Sequence, residues 1–139
     1  KGIMRWNSPD VFEGMKRFAK LSDSPYHGFN FCIGSIAEGL RDPKNDIFPI
    51  IEYFGKRKQI FNVHLRNIKG NYNNFQEVFP DNGEMNFFHV MRALRDVEFD
   101  GMVMPDHVPT HEAEGASSQA FSFAYGHIIG ILQALKDEA

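Results

Sequence analysis

Three side chains in this sequence stand where an apolar run gives way to a polar connection, and their types are those that hold metal ions. Cys32 sits near the end of Phe29-Asn30-Phe31-Cys32-Ile33, and His64 near the end of Ile60-Phe61-Asn62-Val63-His64-Leu65. Asp106 follows Met102-Val103-Met104-Pro105 and precedes His107. A thiolate, an imidazole and a carboxylate are three different metal-ligand types. Their wide separation in sequence is what a site assembled from separate strands requires. Each residue also has a plainer reading. Cysteine is among the most buried residue types and is commonly inert core. His64 could be a satisfied histidine within a strand, and Asp106 a cap or turn residue after Pro105.

The surrounding elements must bring these residues together. Ser8-Pro9-Asp10 reads as a helix start with Pro at the first helical position. Val11, Phe12, Met15, Phe18, Ala19 and Leu21 follow at helical spacing, and Ser24-Pro25 ends the run. A short strand over 29–33 is stopped by Gly34. Asp42-Pro43 opens a second helix with Ile47, Ile50, Ile51 and Phe54 on one face, closed by Gly55. A second strand spans 60–65. The polar stretch 66–83 reads as a long loop, a class of connection that is often functional. Glu84 to Val97 reads as a helix carrying Phe87, Phe88, Met91, Leu94 and Val97. Asp100-Gly101 turns into a third strand, Met102-Val103-Met104, and a last helix opens at Ser117 or Ser118 and reaches about Lys136.

Strands alternating with helices imply an α/β fold with three parallel strands, near 29–33, 60–65 and 101–105. Three strands do not make a stable sheet covered on both faces, and a (β/α)8 barrel takes ~250 residues. The 139 residues are therefore expected to form a single partial barrel domain over 1–139. In such barrels the C-terminal strand ends carry the active site, which is where Cys32, His64 and Asp106 fall.

Composition excludes several function classes. A net charge of −3 gives no basic footprint for nucleic acid. No apolar run approaches the ~18 residues of a membrane span. The start of the chain does not resemble a signal peptide, and no initiating Met is present. The one cysteine rules out an internal disulfide and fits a reducing, cytoplasmic setting. The apolar share of 42% and charged share of 24% are ordinary for a globular domain.

Four blocks carry a family resemblance. They are Phe31-Cys32-Ile33-Gly34-Ser35, Phe61-Asn62-Val63-His64-Leu65-Arg66-Asn67, Phe79-Pro80-Asp81-Asn82-Gly83-Glu84-Met85 and Met104-Pro105-Asp106-His107-Val108-Pro109. In this order they resemble successive blocks of the mannonate dehydratase family, and the resemblance covers essentially the whole chain. It implies the C-terminal part of a xylose-isomerase-like TIM barrel. It implies dehydration of a small sugar acid, D-mannonate, to 2-keto-3-deoxy-D-gluconate, usually with Mn²⁺. It implies that Cys32, His64 and Asp106 are metal ligands, with a further histidine ligand from a strand upstream of Lys1. None of His27, His89, His111 and His127 sits in that matching motif. His107, beside the metal-binding Asp, is implied to act in proton transfer, its alternative being a supporting loop histidine. Arg66 and Asn67 are candidates to hold the substrate carboxylate or hydroxyls, since the guanidinium fork suits a carboxylate; a solvated loop Arg or an ion pair is the alternative for Arg66.

The sequence departs from the family at one place. Members commonly carry Pro-Gly-Tyr before the last helix, the Tyr being implicated in proton transfer, and the nearest match here is Glu114-Gly115-Ala116. Tyr125 and His127 lie further on and read as core or helix-face residues. A sugar-acid dehydratase is therefore weighed against a non-catalytic or partner-completed homologue, and against a metal-dependent sugar isomerase or epimerase on the same barrel. The open strand edges of a partial barrel imply a homo-oligomer or a complementing chain.

Overall fold

The computed structural model describes residues 10–72, 74–109 and 112–138. Helix α1 runs over Val11–Ala19, and its cap is Asp10, whose side chain accepts from the Glu13 backbone N–H at 3.0 Å. This satisfies one of the free donors of a helix start. Ser8 and Pro9, where the helix start was expected, lie outside the described residues. The helix closes at Ala19, which leaves Leu21 74% exposed and outside the apolar stripe.

Strand β1 (Phe29–Cys32) passes directly into a short helix, α2 (Ile33–Ala37), with the Cys32 thiol accepting from the Ser35 N–H at 3.4 Å. Gly34 does not stop the strand as expected. It sits inside α2, where a Cβ would stand 2.7 Å from Arg66 Nε, so its function is to let a guanidinium pass. Helix α3 (Pro43–Gly55) begins at Pro43, as the sequence implies. Strand β2 covers Ile60–His64.

The expected loop over 66–83 is instead largely a β-hairpin of β3 (Asn67–Asn71) and β4 (Asn74–Val78), paired antiparallel. Ile68 is fully buried, and Gly70 takes φ +102°, a left-handed conformation open chiefly to glycine. Its few apolar positions hid the strand period. Helix α4 spans Phe87–Asp96, capped by Asn86, so Glu84 and Met85 belong to the turn that precedes it. Strand β5 (Met102–Met104) and helix α5 (Ala116–Asp137) complete the chain, α5 beginning one to two residues earlier than expected.

The parallel prediction holds: β1, β2 and β5 form one sheet in the order β1-β2-β5, with both pairings parallel. Phe29 pairs with Ile60 and Asn30 with Asn62, which leaves Phe61 as an added residue in β2. The bulge lets Ile60 and Val63 both face the helical layer despite their odd spacing. Phe31, Val63 and Phe54 are wholly buried there, with Phe29 edge-on to Phe54 at 4.8 Å between ring centroids. The opposite face carries Asn30, Asn62, Cys32 and His64. Asn62 donates to Asn30 across it at 2.7 Å.

The segment between the hairpin and α4 hangs on one side chain. Asn67, 1% exposed, donates to the carbonyls of Pro80 and Met85, each at 2.8 Å, and accepts from the N–H groups of Ile68 and Met85. Gly83 is there because a Cβ would approach the Asn67 Oδ1 to 2.0 Å. Asn67→Ala is expected to cost about 2–3 kcal/mol, since it strands several buried backbone groups at once. Urea unfolding would measure this, and a loss below about 0.5 kcal/mol, usual for surface changes, would contradict it.

Candidate metal centre

Strand register brings two of the three candidate ligands together. Cys32 and His64 are direct partners across β1 and β2, so their side chains leave the same face of the sheet at the same height. His64 in turn pairs with Met104 of β5, and Asp106 follows two residues later. Donor atoms of Cys32, His64 and Asp106 all lie within 4.8 Å of one another. The Cys32 Sγ is 3.6 Å from Asp106 Oδ2, and His64 Nδ1 is 3.3 Å from Asp106 Oδ1. All three are partly buried.

The wall of this site is organised by Arg66. Its side chain is only 4% exposed, yet it faces three carboxylates. Nη2 binds Glu38 Oε1 at 2.5 Å and the Ser35 hydroxyl at 3.0 Å, Nη1 binds Glu77 Oε1, and Nε points at Asp106 Oδ2 from 3.6 Å. Burial works against the guanidinium charge but is outweighed by Glu38 and Cys32, so Arg66 is held above its ordinary range. It stays charged wherever the protein is folded.

His107 lies on the open side of the cluster, about half exposed. Its Nδ1 is 2.7 Å from Glu77 Oε2 and its Nε2 3.2 Å from Asp106 Oδ2. The ring is therefore held at the site and still reachable from outside. The other described histidines have different surroundings. His27 Nε2 bonds the Phe18 carbonyl, His89 packs beside Phe88, and the His127 ring stacks near Phe87 and Phe123. His111 lies outside the described residues. Tyr125 is a half-exposed helix-face residue of α5 beside Phe121, and Glu114-Gly115 leads into α5 with Gly115 at φ +74°.

Asn67, a candidate for holding substrate, is buried, with its amide bonded to four backbone groups. Arg66, the other candidate, turns both Nη groups to Glu38 and Glu77, while its Nε has no hydrogen-bond partner among the described residues. Sequence reasoning missed Ser35, Glu38 and Glu77. Ser35 and Glu38 share a face of α2 by their spacing of three. Glu77 was hidden in a stretch read as loop.

The residue set fits a divalent cation. A thiol, an imidazole and a carboxylate converge, and three carboxylates face a single guanidinium, so the site carries an excess of negative charge that a cation would offset.

Comparison with known proteins decides the family. The family model described as D-mannonate dehydratase (UxuA) matches residues 7–138. This chain belongs to the D-mannonate dehydratase family. It is 38% identical over 98 residues to the mannonate dehydratase of Thermotoga petrophila, an alignment covering 68% of this chain and 26% of that protein. To the mannonate dehydratase of Streptococcus pneumoniae it is 36% identical over 97 residues, with the same coverage. The crystal structure of mannonate dehydratase from Streptococcus suis serotype 2 superposes with a TM-score of 0.74 at 29% identity, covering 88% of this chain and 36% of that one. The chain thus matches about a quarter of the length of the curated family members. Among the described residues, no helix is long and apolar enough to cross a membrane.

Arg66→Met is expected to destabilise the fold by about 3–5 kcal/mol, because it leaves Glu38 and Glu77 without their cation. Replacing Glu38 by Met as well should recover part of that loss in urea unfolding. A double variant no more stable than the single one would show that Arg66 does not act by neutralising Glu38.

Proposed function

We propose that this chain supplies part of the active site of a D-mannonate dehydratase, which removes water from D-mannonate to give 2-keto-3-deoxy-D-gluconate. The observation that carries this reading is the meeting of Cys32, His64 and Asp106 at the C-terminal ends of parallel strands, in a member of this family. Those three residues hold the metal, Mn²⁺ by family likeness; thiolate beside imidazole would also accept Zn²⁺ or Fe²⁺. When bound, such a cation would take the substrate carboxylate and offset the charge that develops as the C2 proton leaves.

His107 moves the proton. Its exposed ring stands beside Asp106, in reach of a substrate seated on the three ligands. Cys32, His64 and Asp106 would hold the cation, and Arg66 stands beside the Asp106 carboxylate. Arg66 and Asn67 leave the recognition of sugar hydroxyls to other residues.

The complete site sits in a TIM barrel with more strands than the three of this sheet, and the open faces below suit contact with further protein, a homo-oligomer included. The outer sides of β1 and β5 have no strand neighbour among the described residues. Helix α5 exposes Phe123, Ile129 and Leu132 by 43–53%. Burying such groups contributes about 25 cal/mol per Å² of apolar surface, so a covered face is the stable one. A second reading, a homologue with altered chemistry, draws on Glu114-Gly115-Ala116 standing where the family commonly carries Pro-Gly-Tyr.

Product analysis separates these readings. The assembled enzyme, with Mn²⁺ and D-mannonate, is expected to yield a 2-keto-3-deoxy acid lighter than the substrate by one water, and the 139-residue chain alone to be inactive. Cys32→Ala and His64→Ala should lower metal content and activity together. A product of unchanged mass would identify an isomerase or epimerase, and no product would favour the non-catalytic homologue.

A further inference from the structure

We propose that a basic cleft at the end of the sheet remote from Cys32, His64 and Asp106 binds phosphate, free or as the ester of a small molecule. The cleft has a volume of about 410 Å³ and lies between the C-terminal ends of α1 and α3 and the connection 20–27. Gln59 also lines it. The Phe29 N–H bonds the Gln59 carbonyl at 2.8 Å where β1 begins, whereas Cys32 ends that strand. The cleft is therefore separate from the Cys32–His64–Asp106 cluster, and its assignment stands whether or not the dehydratase reading does.

The lining is rich in donors and poor in acceptors. Lys16, Lys20, Arg57 and Lys58 bring four cations against the single carboxylate of Asp23, in a chain whose net charge is −3. Two helices end here, and their last carbonyls attract cations, which accounts for part of that charge. Lys16 is tied to Glu13 at 2.6 Å, and Lys58 Nζ bonds the carbonyls of Val97 and Glu98 at 3.3 and 3.1 Å. Arg57 and Lys20 remain. The Arg57 guanidinium stacks on the Tyr53 ring at 3.5 Å and gives Nη1 to the Tyr53 carbonyl at 2.8 Å. It is thus held in place while its other N–H groups have no partner among the described residues, and the Lys20 ammonium has none either. The hydroxyls of Ser22 and Ser24 accept from the N–H groups of Ser24 and Tyr26 at 3.1 and 3.2 Å, which leaves their hydrogens to donate. A carboxylate offers two oxygens to such a set. A phosphate offers three or more and up to two charges, so it uses the lining more fully. The volume falls in the range of small-molecule sites, ~300–1,000 Å³, and leaves room for an organic group beside the phosphate.

Isothermal titration calorimetry of the assembled enzyme tests this with inorganic phosphate and with glycerol 3-phosphate. One saturable site per chain is expected, with a dissociation constant of about 1 mM or below. Arg57→Met and Lys20→Met should each weaken it by about tenfold, the loss of one charge-assisted hydrogen bond. Both side chains are exposed, so the variants should unfold in urea as wild type does. Lys56→Met removes a neighbouring cation that pairs with Glu52 outside the cleft, and should change affinity by less than about twofold. His64→Ala should bind as wild type does, which separates the cleft from any anion held by a cation at the other end of the strands. Tighter binding of the ester than of the bare ion assigns the cleft to an organophosphate, and equal binding assigns it to free phosphate. Uptake that does not saturate by about 10 mM would overturn the proposal. So would a loss in Lys56→Met as large as in Arg57→Met, or a loss confined to His64→Ala.

Discussion

A buried guanidinium is the constraint on which the site depends. Arg66 has left water almost entirely, and a charge does so only if its hydrogen bonds are replaced. Glu38 and Ser35 from α2, Glu77 from the hairpin and Asp106 after β5 supply the replacements or stand close by. Three elements distant in sequence are thereby fixed at one point. The same need explains the glycine at position 34, since any side chain there would strike the guanidinium. The arrangement resembles a hub whose spokes are acids, and the Cys32–His64–Asp106 cluster sits at the end of one spoke.

Much of the scaffold was legible in the sequence. Phe31 and Val63 alternate with Asn30, Asn62 and His64, and that period marks the strands. Asp42-Pro43 and Gly55 bracket α3 as read. Cys32, His64 and Asp106 were found because each stood at a strand end, and the register then placed the first two side by side. The hairpin was not legible. Asn67, Lys69, Asn71, Asn74 and Gln76 are strand residues of low strand propensity, held by pairing and by Ile68 in the core. Missing it meant missing Glu77. The partners that Arg66 and Asn67 take within the chain were not legible, because sequence shows that a side chain can bind a carboxylate or an amide and not whose.

The two faces of the sheet divide the labour. One face packs Phe31, Val63 and Ile60 against helices and supplies the stability. The other gathers polar groups, including an Asn62 oxygen that is buried without a hydrogen-bond partner among the described residues. In a closed barrel that second face would look inward, where the remaining strands would meet it. The helical layer and the Cys32–His64–Asp106 cluster thus stand on opposite faces of one sheet.

Crystals of the assembled enzyme grown with Mn²⁺ offer the most direct test of a shared metal site. Anomalous diffraction at wavelengths on either side of the manganese absorption edge would locate the ion without assumption about its ligands. A single manganese peak bonded by Cys32 Sγ, a ring nitrogen of His64 and a carboxylate oxygen of Asp106 is the expected result. A peak held by other residues, or none at saturating Mn²⁺, would contradict it.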